Sequence, residues 1–416
     1  MASKTHIFWG GVIVVLVAAG AVLSGVFDPS YSTAAVDKSA SSPELLTRGR
    51  YLVRAADCTS CHTAANGAPF AGGVPLATPF GRIYGSNITP DKEHGIGKWT
   101  SADFYKALHD GLAPDHPLYP AMPYTSYRGV TRADSDAMFA YLQSLKPVSQ
   151  PDRKNEFSFP FTLRPLMRGW DLLFLKNTLP DASVGDSAEW VRGRYLTNAL
   201  GHCTECHTPR GAVGQLILGQ TLAGGALGDI KAPDVTPKGL AARGWNTHDL
   251  QTFLAQGVAA QGSVFSEMYQ AFHHSTRYLD AADNKALVMY LTGDSPLAPV
   301  PLPATDSQAP VGPGRAHYLA LCAGCHAAQG QGKPNISVAM QANTTVRNAD
   351  PHNLISVMLS GIDAQKFTGT QAMQAMPGFA SKLNDRQMAE LANYLRVAWG
   401  GQKGDVTPAM VANIRK

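Results

Sequence analysis

The stretch RGRYLVRAADCTSCHT, residues Arg48 to Thr63, closes on two cysteines and a histidine within five positions. The grouping returns as CTECH at Cys203–His207 and CAGCH at Cys322–His326, so three sites use all six cysteines of the 416-residue chain. The flanks repeat too. RGRYLTNALGHCTECHT (192–208) matches the opening stretch apart from one inserted residue, and GRAHYLALCAGCHA (314–327) is a shorter relative.

Downstream, WTSADFYKALHDGL (99–112) mirrors WNTHDLQTFLAQGV (245–258), and DPHNLISVMLSGI (350–362) fills the third slot. Each copy ends in a run carrying Tyr-Leu: TRADSDAMFAYLQSL, LDAADNKALVMYLTG and LNDRQMAELANYLRVAWG. Met138, Tyr141, Leu142 and Leu145 recur at helical spacing, and Thr131 before Asp134 resembles a capping box. Internal repetition of this kind decides the architecture before any single element does. Each unit reads as helix, cysteine motif, long loop, helix, loop and closing helix, without convincing alternating strands. The predicted fold is therefore mainly α, with three small all-α domains in tandem: residues 42–147, 188–293 and 313–402. A connector (148–187), a proline-rich linker (294–312) and a tail (403–416) complete the chain.

C-x-x-C-H is the attachment pattern of a c-type haem. Two intervening residues in a helical turn bring both sulfurs to one porphyrin edge, and the next residue supplies the proximal imidazole to iron. A thioredoxin-like pair expects a βαβ context. Structural zinc closes with two pairs a dozen or so residues apart, whereas these pairs lie over a hundred residues apart and one is left over. Simple disulfides require no histidine. The motif thus assigns three covalent haems c, bound through Cys58, Cys61 and His62, through Cys203, Cys206 and His207, and through Cys322, Cys325 and His326.

A sixth ligand is expected from the loop before each closing helix, and Met or His are the usual candidates. The repeat selects Met122 in YPAMPY, Met268 in VFSEMYQAF and Met376 in QAMPGF. Met122 and Met376 are each followed by proline, which stiffens the loop. His116 competes with Met122, His273 and His274 with Met268, and Met373 with Met376. Met138, Met289 and Met388 fall on closing helices and read as packing residues. Trp99 and Trp245 occupy matching repeat positions, and Arg82, Asn87 and Pro233 lie in the glycine- and proline-rich loops before them, which either shield haem edges and bond propionates or pack as ordinary loops. His94, His109, His248 and His352 carry no ligand pattern.

Charged residues make up 16% of the chain and the net charge is +4 with no basic run, which gives no case for a nucleic-acid partner. Residues Ile7–Phe27 carry no charge. As a helix they would span about 32 Å, enough for a hydrocarbon core of about 30 Å. An N-terminal transmembrane helix within residues 1–30 is the expectation, with a signal peptide cleaved near Ser32–Ala35 as the alternative. Lys4 ahead of the span keeps the N-terminus cytoplasmic and exports the remainder, giving a protein of the inner membrane's periplasmic side. In RPLMRGWDLLFLKN (164–177), Leu166, Trp170, Leu173 and Phe174 share a helical face, with Arg164, Arg168 and Lys176 nearby. That face suits a partner, the membrane surface near quinone, or packing against the chain's own domains.

These residues together resemble the triheme cytochrome c subunits of membrane-bound periplasmic alcohol and aldehyde dehydrogenases, best known from acetic acid bacteria. The resemblance rests on CTSCHTAANGAPFAGGVPLATPFGRIYGSNITPD, LYPAMPY, GHCTECHTPRGA, AMPGFASKLNDRQMAELANYLRVAWG and VTPAMVANIR. It implies that the three tandem domains are cytochrome c-like and that the chain is an electron-transfer subunit of a respiratory chain, which receives electrons from a separate catalytic subunit, in some members accompanied by an iron–sulfur subunit, and delivers them to ubiquinone. FPFTLRPLMRGWDLLFL (159–175) is most similar to the aldehyde-oxidising branch, ahead of the alcohol-oxidising one. The short segment between His207 and Trp245 and the retained N-terminal span depart from many members. No catalytic residue for substrate oxidation is expected. A free-standing anchored carrier and a multihaem peroxidase are the competing readings, the latter requiring an open iron position.

Overall fold

The computed structural model describes residues 17–32, 42–177, 179–181, 183, 186–293, 297–298 and 312–415. The chain forms two compact units, residues 1–181 with 198–202, and residues 182–197 with 203–416.

In the first unit, α1 (Pro43–Ala55) leads into the one-turn α2 (Cys58–His62), followed by the hairpin β1 (Pro75–Thr78) and β2 (Gly81–Tyr84), α3 (Ser101–Asp110) and the closing α4 (Arg132–Gln143). Polar caps fix the helix starts. Ser42 accepts from Leu45 N, Thr131 from Asp134 N, and Thr100 forms a reciprocal capping box with Asp103. Each such cap stabilises by about 1 kcal/mol. α1 packs across α4 at Gly49, where any Cβ would run into the Ala137 carbonyl. Arg48 pairs with Asp134 at 2.5 Å beside this crossing. Leu52, Val53, Met138 and Leu142 are buried, each contributing on the order of 2 kcal/mol.

The hairpin is a departure from the strand-free reading. β1 and β2 pair antiparallel from Pro75 with Tyr84 to Thr78 with Gly81, and the connector adds β3 (Glu156–Phe157) with Gly81 opposite Phe157. The remainder of the connector start also belongs to this unit: Asn87 Nδ2 donates to the Val148 and Gln150 carbonyls at 2.8 and 3.0 Å. α5 (Leu166–Phe174) leaves Leu172 and Leu173 exposed, at 72% and 63%, while Trp170 meets Tyr124 edge-on. Residues 17–24 are helical, and Asp28 pairs with Arg168 of α5 at 2.8 Å. No helix among the described residues is long and apolar enough to cross a membrane. The expected span begins at Ile7, so its first ten residues lie outside the described ones.

The second unit holds the other two repeats. In the first of them α6 (Ala188–Tyr195) crosses α10 (Ala281–Thr292), with α7 (Cys203–His207), α8 (Thr247–Gln256) and α9 (Glu267–His274) between them. In the second, α11 (Pro313–Leu321) crosses α14 (Asp385–Ala398), with α12 (Ala323–His326) and α13 (His352–Ser360) between them, and α15 (Pro408–Ile414) packs behind. Glycine again occupies both crossings: Gly193 faces the Ala286 carbonyl and Gly314 the Glu390 carbonyl. The Gly-Arg pair that precedes each cysteine motif in the sequence therefore marks a helix-crossing point, where only a missing side chain lets the backbones meet.

These two repeats interlock. Asn353 of α13 accepts from Lys231 N at 2.8 Å and donates to Lys231 O at 2.7 Å, and Ser356 donates to Asp229 O at 2.6 Å. His352 joins the same seam through Asp229 O at 3.1 Å. A shared apolar cluster unites Val264 and Phe272 of one repeat with Phe367 of the other.

Candidate haem sites

The C-x-x-C-H motif lies on a single helical turn in the first two copies, in the third Cys322 caps the turn Ala323–His326, and in each a glycine loop folds back over the motif. Gly72 N donates to His62 O at 2.8 Å, Gly224 N to His207 O at 2.8 Å, and Gly332 N to His326 O at 3.0 Å. All three glycines have φ between 72° and 95°, the left-handed region that disfavours other residues. The preceding chain is braced in two copies by a threonine, with Thr63 Oγ1 accepting from Phe70 N and Thr208 Oγ1 from Leu222 N.

The imidazoles repeat one geometry. His62 Nδ1 stands 2.7 Å from Ser86 O, His207 Nδ1 2.7 Å from Pro233 O, and His326 Nδ1 2.9 Å from Val338 O. A carbonyl accepts only from an N–H, so it fixes the proton on Nδ1 and leaves the Nε2 lone pair for a metal. Desolvation holds all three imidazoles below the ordinary histidine pKa, with the carbonyl bond opposing it, so they stay neutral. Burial pushes the Cys58 and Cys203 thiols up to about 12 and Cys322 up to about 11, so these sulfurs are neutral at physiological pH. This donor set fits a covalent haem: two sulfurs and one oriented, neutral imidazole per helical turn.

The charges around the histidines differ. Asp152 raises the proton affinity of His62, whereas Arg243 lowers that of His207 and the smaller influence of Asp234 raises it. Arg243 is 6% exposed, donates to Asp234 O at 2.7 Å and Thr344 Oγ1 at 3.1 Å, and burial lowers its pKa to about 10.

The methionines are placed unequally. Met122 lies half-buried in the turn before Pro123, its N–H donating to Tyr119 O at 3.0 Å. Met376 lies on a two-residue strand opposite Ile362 and touches the core of its repeat. Met268 is not on a loop: it is the second residue of α9 and packs in the Val264–Phe272–Phe367 cluster, which Met373 of the next repeat also joins. Among the competitors, His116 is held by Asp115 at 2.7 Å, and His273 stacks on Tyr269 with Arg277 3.3 Å from its Nδ1. His274 packs edge-on to His273. Met138 and Met388 are fully buried packing residues.

Of the loop residues, Pro233 supplies the carbonyl that orients His207, and buried Asn87 staples the connector. Trp245 is buried and donates Nε1 to Thr344 Oγ1 at 3.2 Å, while Trp99 is only half-buried. Arg82 bonds Glu156 across the hairpin at 3.1 Å. His109 is engaged by Asp110 and Tyr31 at the end of α3. Sequence reasoning missed the partner carbonyls of Ser86 and Val338, because backbone acceptors leave no residue-type signal.

Repeated helix-crossing glycines, the one-turn cysteine motif and a carbonyl-oriented imidazole define a multidomain c-type cytochrome. The Cytochrome c family model matches residues 46–146 and 311–399. The chain is 38% identical over 370 residues to one of the subunits of the nicotinate dehydrogenase of Pseudomonas putida, covering 87% of this chain but only 31% of that longer protein. It is 34% identical to the cytochrome c subunit of the alcohol dehydrogenase (quinone) of Gluconacetobacter polyoxogenes, over 89% of this chain and 84% of that subunit. It is 35% identical to the gluconate 2-dehydrogenase cytochrome c subunit of Pantoea cypripedii, over 92% of both. The chain belongs to the family of cytochrome c subunits of dehydrogenase complexes. As a cytochrome c it carries covalently bound haem c, and its role is electron transfer.

Proposed function

We propose that this chain is the triheme electron-transfer subunit of a membrane-bound periplasmic dehydrogenase complex, passing electrons from a catalytic subunit to ubiquinone. The observation that carries the reading is the threefold recurrence of an imidazole oriented by a backbone carbonyl beside a cysteine pair. Bound haem supplies reversible one-electron chemistry at iron. The residues that would hold it are Cys58 and Cys61, Cys203 and Cys206, and Cys322 and Cys325 as covalent tethers, His62, His207 and His326 as imidazole ligands, and Met122, Met268 and Met376 as sulfur ligands. Sulfur ligation favours higher potentials, suited to electrons drawn from an organic donor.

Membrane attachment is supported by the uncharged stretch Ile7–Phe27 and by the exposed apolar face of α5, which the Asp28–Arg168 pair ties to the end of that stretch. The likeness of residues 159–175 to the aldehyde-oxidising branch favours an aldehyde dehydrogenase, with alcohol oxidation next. That reading includes an iron–sulfur subunit.

Affinity purification of the tagged chain from its native membranes tests the assignment. The expected result is one co-purifying dehydrogenase catalytic subunit, with the haem bands reduced on adding its aldehyde or alcohol and reoxidised by a ubiquinone analogue. Recovery without any oxidoreductase partner would instead support a free-standing carrier.

A further inference from the structure

The loop whose carbonyl orients each histidine is held by a neighbouring side chain, at the orienting peptide group in the first site and at the next carbonyl in the other two, and that side chain differs in charge at the three sites. In the first, Ser86 O accepts from His62, and the N–H of the same peptide group, Asn87 N, donates to Asp152 Oδ1 at 2.7 Å. A carboxylate therefore sits at the positive end of the peptide dipole whose negative end faces the imidazole. In the second, Pro233 O accepts from His207, and the next carbonyl, Asp234 O, accepts from the Arg243 guanidinium at 2.7 Å. In the third, Val338 O accepts from His326, and the next carbonyl, Ala339 O, accepts from the neutral amide of Asn343 at 3.2 Å. Anion, cation and neutral group thus hold equivalent loops.

We propose that Asp152 and Arg243 are positioning residues that set the reduction potentials of the first and second haems in opposite directions, the first lowered and the second raised. This rests on the triheme reading. A carboxylate behind the peptide makes its carbonyl a stronger acceptor, which increases electron donation from the imidazole and favours ferric iron. A buried guanidinium near the loop disfavours the extra positive charge of ferric iron. Asp234 partly offsets Arg243, and the fields of His94 and Arg164 reach Asp152. Asp152 also keeps an exposed side, so solvent screens it and its effect is the smaller one.

The test is anaerobic spectropotentiometry on the full-length, haem-loaded chain and on Asp152→Asn and Arg243→Gln, with haem content measured by the pyridine haemochrome. Arg243→Gln should lower one potential by about tenfold in the reduction equilibrium, which is about 59 mV for one electron. Asp152→Asn should raise a different potential by less, and Asp152→Glu, which keeps the charge, should restore it. Chains retaining three haems in which neither potential moves, or in which both variants move the same one, would overturn the proposal. A wild-type chain with fewer than three haems would instead overturn the reading beneath it. If Arg243→Gln fails to load haem, Arg243→Lys serves: an unchanged second potential supports a charge effect, and a drop equal to full charge loss contradicts it.

Discussion

Gly193 of α6 faces the carbonyl of Ala286 in α10 with no room for a Cβ, and Gly49 and Gly314 meet Ala137 and Glu390 in the same way. Gly193→Ala should force the helices apart and cost about 1–3 kcal/mol. Thermal melting should show this loss, whereas Gly219→Ala, where an added methyl meets nothing, should melt like the parent.

Met122, Met268 and Met376 should each contribute one sulfur ligand. Replacing any of them by leucine keeps a similar volume and should remove one haem's share of the near-infrared sulfur-to-iron band. An unchanged band in Met268→Leu would transfer the role to His273, His274 or another group. Loss of band intensity in Met373→Leu would point to that residue in place of Met376.

Asn353 binds both backbone groups of Lys231, one through its oxygen and one through its nitrogen. Asn353→Ala leaves a donor and an acceptor unmatched at a buried seam and should cost about 1–3 kcal/mol. Protease nicking within the linker 294–312 should leave the two halves of the parent associated on gel filtration, and release them in the variant.

Burial pushes the Asp171 carboxyl up to about 7; the Tyr124 hydroxyl bond, Arg128 and Arg168 oppose this, and Asp110 adds to it. The folded chain therefore holds a proton there that the unfolded chain releases near pH 3.9. The resulting stability is fully present below that pH and is lost as pH rises through about 7. Asp171→Asn should flatten the decline in melting temperature between about pH 4 and 7. Asp57, also raised to about 7 by burial, keeps part of the slope in place.

Leu173 is largely exposed on α5 and its loss should not affect folding. Leu173→Lys should keep the parental melting temperature while releasing the chain from its dehydrogenase complex or slowing reduction of a ubiquinone analogue. Unchanged complex and unchanged rate would assign the apolar face no docking role.

The covalent core of the sites was legible because it depends on residue type at fixed spacing: Cys58, Cys61 and His62 can be read from five letters. The Gly-Arg pair repeated before each motif was visible as a pattern, but its role as a crossing point depends on the backbone of a helix far along the chain. The hairpin of β1 and β2 was not legible, since its strands are short and one partner, Glu156–Phe157, comes from a stretch that reads as linker. The seam between Lys231 and Asn353 depends on backbone atoms and left no pattern. Position in the repeat points to Met268, yet the segment that carries it is helical, and Met268 packs with Val264 and Phe272 against Phe367 of the next repeat. Such contacts are tertiary, and no local window contains both sides.

The number of haems on the chain bears most directly on this account. The protein should be expressed in cells able to export it and attach haem, then weighed intact under denaturing conditions. The polypeptide, with or without its N-terminal segment, should carry three covalently added haem groups. A mass corresponding to two, one or none, with the remaining cysteines as thiols, would contradict it.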